Sequence, residues 1–370
     1  MIAGQLSVLR PTSLRQSLQM VIEHEGARFV AGGTALQLEW AKGLPKPPTM
    51  ISLGDIPGLT GISLSGDMIR IGALTPLSTV CSDATINARL PLLAAAARTV
   101  AAPGVRNLAT VGGNITGRAG CLLPSLLALD ATLDVSRIGG RAHENLLHWL
   151  SLPIRQDEVV EAICLSSMAP DCRWTQRKTG LRAAFTPSMI GVAGLIELDG
   201  DHVRTGRFAV GGGMVPPARL RRAEMLLEGA SWSNIDWEEL KAHLFEEVCA
   251  PDDAFRSARY RRMVAANALT QGLRPTAKAR APVNLVTKDK HIAGEILLSR
   301  AEQPHRWHRR PDVESKTSGQ LPYLTDKRSP DMLVGRILRA GLPHARIVSI
   351  DTSAAEALDG IIAVVTHRDI

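Results

Sequence analysis

Arg106-Asn107-Leu108-Ala109-Thr110-Val111-Gly112-Gly113-Asn114-Ile115 is the stretch on which the fold turns, together with an earlier counterpart, Ala31-Gly32-Gly33-Thr34. Each glycine pair ends an apolar, β-prone run, Phe29-Val30 in one case and Ala109 to Val111 in the other. Paired glycines let main-chain N–H groups approach a ligand closely, and consecutive amides form a concave nest for phosphate oxygens. Two such loops arriving from separate strands are expected to hold a pyrophosphate from both sides, with Thr34 and Asn114 adding side-chain donors. A single Gly-Gly more often marks an ordinary turn. It is the pair, in context, that carries weight.

On either side of these loops the pattern divides the chain. Leu14, Leu18, Val21 and Ile22 recur at helical spacing between Pro11-Thr12-Ser13 and Gly26, which predicts a helix over 12–25. A strand into the first glycine pair, a helical turn through Leu36, Leu38 and Trp40, and a strand from Thr49 to Leu53 complete a small α/β lobe, residues 1–58. A second lobe, 59–158, opens with the alternating strand Met68 to Ala73. It continues with a Leu/Ala-rich helix over 87–102, a buried helix from Leu122 to Leu129, a strand from Thr132 to Ser136, and a short helix over 143–150 with His143 and His148 on its polar face. Residues 159–274 show strands at Val159–Leu165, Arg173–Lys178, Ser188–Leu198 and Val203–Val210, then helices at Ala218–Leu227, Trp237–Val248 and Ala254–Leu273. That order predicts an α+β domain with helices on one sheet face. Gly211-Gly212-Gly213 reads as a strand exit, because no helix N-terminus follows to supply a dipole. Residues 275–312 turn polar, basic and Pro-containing, as a linker does. Residues 313–370 carry three β-prone runs, Met332 to Leu338, His344 to Ile350 and Ile361 to Thr366, expected to form a small sheet.

At 370 residues the chain has room for two or three domains. No apolar run reaches membrane-span length and no signal-peptide pattern opens the chain, so a soluble cytoplasmic protein is expected. Cys81, Cys121, Cys164, Cys172 and Cys249 form no CxxC and no ferredoxin-like spacing. This argues against disulfides and against an iron–sulfur or structural zinc site in this chain, and no metal ligand is expected. Cys164 and Cys249 read as ordinary buried thiols. The net charge is +7, but the basic residues are scattered apart from Arg306-Trp307-His308-Arg309-Arg310. That run reads as a solvated linker or a contact with an acidic partner subunit rather than a nucleic-acid surface.

The motifs in this order resemble the FAD-binding (medium) subunit of the molybdenum hydroxylases, the family of xanthine dehydrogenase and carbon monoxide dehydrogenase. The resemblance covers roughly residues 5–273. It rests on Ala31 to Thr34, Ile51-Ser52-Leu53 through Leu59, Ile69 to Thr75, Arg106 to Ile115, Leu123-Pro124, Leu127 to Ala131, Val210-Gly211-Gly212 and Ser257 to Arg262. It implies an α+β architecture: a two-lobed FAD-binding domain of the vanillyl-alcohol oxidase type, a small α+β C-terminal flavoprotein domain, and FAD between the lobes. By position, Val30, Ala31, Gly32, Gly33, Thr34, Ala35 and Leu36 would line one side. Thr110, Gly113, Asn114 and Thr116 would line the other, with Ala101 and Ala109 near the ribityl or ring region.

One departure concerns Cys121, which stands before Leu122-Leu123-Pro124 where the family commonly has an aspartate. A carboxylate that normally accepts hydrogen bonds near the ribityl is missing, and a thiol is a weak substitute. FAD is still expected to bind. The polar residues often found near Phe185-Thr186 are also reduced.

Residues 313–370 resemble the opening α/β-hammerhead of the molybdopterin-binding large subunit, so the chain reads as a fusion to a partial hammerhead domain. The resemblance implies an electron-transfer component with no catalytic residue of its own. Electrons would come from two-iron two-sulfur clusters and go to NAD, a quinone or another acceptor, while molybdopterin and the clusters reside in partner subunits. Two rival readings are a stand-alone flavin oxidoreductase, for which the third region offers only His202 and Tyr260, and a degenerate scaffold that has lost FAD, suggested by Cys121.

Overall fold

The computed structural model describes residues 6–181, 186, 188–253, 256–275, 315–316, 318–323, 326, 328–339, 341 and 345–369. Phe185, His344, the Arg306 to Arg310 run and the expected linker beyond Pro275 lie outside them. The chain divides into two units, Met1–Arg274 and Pro275–Ile370. No helix among the described residues is long and apolar enough to cross a membrane.

Lobe 1 contains β1 (Ser7–Leu9), α1 (Leu14–Glu23), β2 (Arg28–Val30), α2 (Thr34–Ala41) and β3 (Thr49–Ser52). Its three strands are parallel in the order β1-β3-β2. Ser13 caps α1 by accepting from Gln16 N at 3.2 Å, the short polar side chain a helix start calls for. The buried face of α1 carries Leu18 and Val21.

Lobe 2 comprises β4 (Ile62–Ser65), β5 (Met68–Gly72), α3 (Leu77–Ser82), α4 (Ala84–Arg89), α5 (Pro91–Arg98), α6 (Pro103–Arg106), α7 (Val111–Thr116), α8 (Leu123–Ala128), β6 (Thr132–Arg137), β7 (Gly140–Asn145), α9 (Leu146–Ser151) and β8 (Glu158–Ser166). Its antiparallel sheet runs β4-β5-β8-β6-β7. Three expectations are corrected here. The predicted helix over 87–102 is broken at Leu90, where Pro91 forces the preceding residue out of helical geometry (φ −134°). His143 lies in β7 rather than a helix, because Asn145 starts α9 by accepting from Leu147 N and His148 N. The strand at Val159–Leu165 belongs to lobe 2, not the third domain: β8 is the central strand, and its apolar residues are buried because it pairs on both edges.

The third domain holds β9 (Cys172–Thr179), β10 (Ile190–Asp199), β11 (His202–Gly212), β12 (Val215–Arg219), α10 (Arg221–Met225), α11 (Trp237–Glu247) and α12 (Ala258–Leu273). Its antiparallel sheet runs β12-β11-β10-β9. The domain's own helices pack on one face, as expected, and lobe 2 covers the other. Val192 and Ile196 of β10 join the core under α12. Ala193 and Leu195, pointing the other way with the strand's period of two, join the core of lobe 2, where α8 packs on β10, β11 and β12.

Among the described residues of the second unit, Ser353–Glu356 form a short helix, α13. The three β-prone runs form no strand among the described residues, and Val334, Leu338 and Val348 are exposed. Strand propensity is realised only where a neighbour takes up the ladder hydrogen bonds, so the expected small sheet is not present there.

Candidate cofactor-binding site

The first glycine loop leaves β2 at Val30, whose carbonyl accepts from Leu53 N at 3.0 Å. Gly33 then takes a left-handed conformation (φ +68°) and becomes the N-cap of α2, a geometry glycine adopts without steric cost. No side chain caps this helix. The amides of Thr34, Ala35 and Leu36 therefore point out of the first turn without intrahelical partners, with the positive end of the helix dipole behind them. Arg28 of β2 reaches Glu39 of α2 at 3.0 Å and ties the strand to the helix.

The second loop is built differently from the sequence expectation. Ala109 to Val111 makes no strand: Thr110 forms an isolated bridge with Pro76 and then caps α7, its Oγ1 accepting from Gly113 N at 3.1 Å. Val111 N donates to Thr75 O, Gly112 N to Ala73 O at 2.7 Å, and Asn114 N to Thr110 O. These amides anchor α7 to the end of β5 and are not an open nest. Asn114 is also committed in part, because its Oδ1 accepts from Leu122 N at 3.0 Å. What the second loop leaves exposed is the small face made by Gly113 and Thr116.

The two loops meet. A Cβ built on Gly32 would fall on the carbonyl of Leu108 and within 3.3 Å of Ala109 N, so only glycine permits this approach. The contact seats the loop before α2 against the segment that leads into α7. Ala101 lies just before α6. Its positive φ of +49° is unusual for a side-chain-bearing residue. The turn is held by Arg106, whose Nη1 donates to the carbonyls of Val100 and Ala101 at 2.9 Å each. Lys178 of β9 donates to Thr99 O at 3.2 Å. Neither Arg106 nor Lys178 was a candidate from the sequence. Neither carries a local signal: Arg106 acts through main-chain carbonyls, and Lys178 comes from another domain. Cys121 sits in the turn pinned to Asn114 and packs against the lobe 2 core. His202 lies at the far end of the β10–β11 hairpin from Gly211, whose missing Cβ faces Pro124.

The donor set suits a diphosphate: uncapped helix amides, a left-handed glycine, and a small-residue wall where a Cβ would intrude. Residues 4–166 match the model of the FAD binding domain in molybdopterin dehydrogenase, and residues 178–276 match the CO dehydrogenase flavoprotein C-terminal domain. The chain is 32% identical over 206 residues to the carbon monoxide dehydrogenase medium chain of Hydrogenophaga pseudoflava, covering 53% of this chain and 69% of that one. The chain belongs to the FAD-binding medium subunits of the molybdenum hydroxylases. It is also similar to the nicotine 6-hydroxylase medium subunit of Paenarthrobacter nicotinovorans, 27% identical over 257 residues, 68% of this chain and 90% of the relative. The structure of carbon monoxide dehydrogenase from H. pseudoflava lacking the Mo-pyranopterin moiety shares its fold, with a TM-score of 0.69 at 24% identity over 74% of this chain and 97% of that one. Residues 318–370 match the α/β-hammerhead domain of aldehyde oxidase and xanthine dehydrogenase. The match to the FAD-binding domain lies in this chain, and the relatives are medium subunits of a dehydrogenase and a hydroxylase, which are oxidoreductases.

Proposed function

We propose that this medium subunit is the electron outlet of a molybdenum hydroxylase complex, receiving electrons from a partner's iron–sulfur clusters and passing them to NAD or another soluble acceptor in the cytoplasm. The observation that carries the reading is the seating of Gly32 on the Leu108 carbonyl, which supports a diphosphate cradle between the lobes. In this reading the amides of Thr34, Ala35 and Leu36 hold the diphosphate by charge-assisted hydrogen bonds and the α2 dipole. Gly113 and Thr116 line the opposite wall. The Ala101 turn, fixed by Arg106 and Lys178, sets the far end of the cavity. FAD, when bound, supplies the exchange between one-electron and two-electron carriers, and the chain's own residues bind, orient and desolvate it.

The test is purification of the full chain and identification of its released flavin. About one equivalent of FAD per chain supports the cradle. A colourless protein that takes up no added FAD overturns it, and Cys121→Asp is then the variant that decides whether the thiol caused the loss. Reduction of the bound flavin by a reduced iron–sulfur partner, followed by reoxidation with NAD, tests the route of the electrons.

A further inference from the structure

The outer face of the lobe 2 sheet carries a cluster with no part in the flavin cradle. Strand alternation sends Ile69, Ile71, Leu133, Ile163 and Leu165 into the core and leaves Arg70, Asp134 and Cys164 on the other side. His143 joins them from the edge strand β7, in register with Asp134. His143 Nδ1 donates to Asp134 Oδ1 at 2.8 Å. The Cys164 thiol approaches Asp134 Oδ2 at 3.6 Å, and Arg70 Nε donates to the same oxygen at 3.1 Å. One imidazole nitrogen, one carboxylate oxygen and the thiol sulfur all lie within 4.8 Å of one another.

We propose that Asp134, His143 and Cys164 form a binding site for one divalent transition-metal ion of borderline softness, with zinc as the fitting member of that class. Zinc takes these three donor types, at about 2.0–2.3 Å each, which brings the donors of a tetrahedral site to roughly 3.3–3.8 Å from one another. Closing from 4.8 Å requires a shift on the order of 1 Å. His143, with 58% of its side chain exposed on an edge strand, has the freedom to make it. The same exposure leaves the fourth position to water. Cys164 is only 8% exposed, so the sulfur is shielded from other thiols and from oxidants.

Asp134 now gathers two protons, one from the imidazole and one from the thiol, and a cation replaces both interactions at once. The thiol proton leaves to solvent as the sulfur–metal bond forms, the imidazole proton moves to the nitrogen facing away from the metal, and no electron is transferred. Arg70 keeps its hold on Oδ2 and fixes the carboxylate orientation from outside the ligand shell. Cysteine spacing rules out a multi-cysteine site, and it is blind to one thiol assembled with ligands from two other strands.

Cobalt(II) is the probe, because a thiolate ligand gives it a charge-transfer band in the near ultraviolet. Titration of the full chain, read as a difference spectrum against the metal-free protein, is expected to give that band at one cobalt per chain, with zinc displacing it. Cys164→Ser is expected to abolish the band, and His143→Gln to weaken cobalt binding at least about tenfold. A variant with Cys81, Cys121, Cys172 and Cys249 all replaced by serine is expected to retain it. His143 is exposed at a sheet edge, so its variant folds and keeps the test valid. A titration without the band, a band that survives Cys164→Ser, or one lost in the four-serine variant overturns the assignment.

Discussion

Gly32 packs with its α-carbon against the main-chain carbonyl of Leu108, leaving no room for a methyl group. Two segments 76 residues apart thus touch through backbone alone. Gly32→Ala is expected to push the loops apart at a cost on the order of 1–3 kcal/mol, the usual penalty for overpacking. Flavin content per chain should drop sharply while far-ultraviolet circular dichroism stays unchanged. Full flavin occupancy in this variant would show that the contact does not shape the cradle.

Thr110 holds the first turn of α7 through Gly113 N. Thr110→Ala removes that cap and is expected to destabilise the protein by about 1 kcal/mol, seen as a lower urea midpoint at an unchanged slope. Thr110→Ser keeps the hydroxyl and should restore most of the loss.

Arg219 and Glu224 form a doubly hydrogen-bonded pair at 2.6 and 2.8 Å, with both side chains almost wholly buried. Arg219 also donates to Leu127 O at 3.2 Å, the end of α8. Glu224 accepts from Phe208 N. Replacing either partner alone leaves the other buried charge to a more exposed partner, Arg221 for Glu224 and Asp130 for Arg219, so Arg219→Ala or Glu224→Gln is expected to cost about 3 kcal/mol. The double change Arg219→Met with Glu224→Leu should cost less than the sum, a coupling that a double-mutant cycle measures.

Asp134 and Cys164 shift stability at opposite ends of the pH scale, read in the presence of a chelator. Burial pushes Asp134 up, but its hydrogen bonds from His143 and Arg70 prevail and hold the carboxyl below its ordinary range. A lowered acid contributes stability above its unfolded value of about 3.9 and loses it as pH falls through the folded value. Burial, reinforced by the Asp134 charge, raises the Cys164 thiol to about 11. A raised thiol contributes below its unfolded value of about 8.5 and loses that contribution as pH climbs toward 11. Melting temperatures are expected to show both limbs, with Asp134→Asn flattening the acid one and Cys164→Ser the alkaline one.

The parts of the fold written locally were legible. Ser13 before an apolar period gave α1, alternation gave β5, and Gly33 before Thr34 gave the turn into α2. The errors arose where a distant partner decides. Val159 to Leu165 looked like the opening of a new domain because nothing local says that β5 and β6 lie on either side of it. The second glycine pair looked like an open nest because nothing local says that Gly112 N is taken by Ala73 O, some forty residues earlier, or that Gly113 N is taken by the Thr110 hydroxyl. For the site, Gly32 and Gly33 were marked by spacing, where the fold shows a close backbone approach and a left-handed turn. Arg106 was not, since an arginine satisfied by three carbonyls has no one-dimensional signature.

All six residues of α8 are buried, between the lobe 2 core and the β10–β12 sheet. Lobe 2 and the third domain thereby share one interior and shift as one block. Lobe 1 is moored more lightly, with Leu18, Leu53 and Ile56 against Leu59 and Val159 and Gly32 against Leu108. The first unit is mechanically lopsided, a heavy base with a light flap, and amide exchange should run ahead in the flap. A ligand clasped between the two acts as a latch, so loading the cradle and stiffening lobe 1 become the same event.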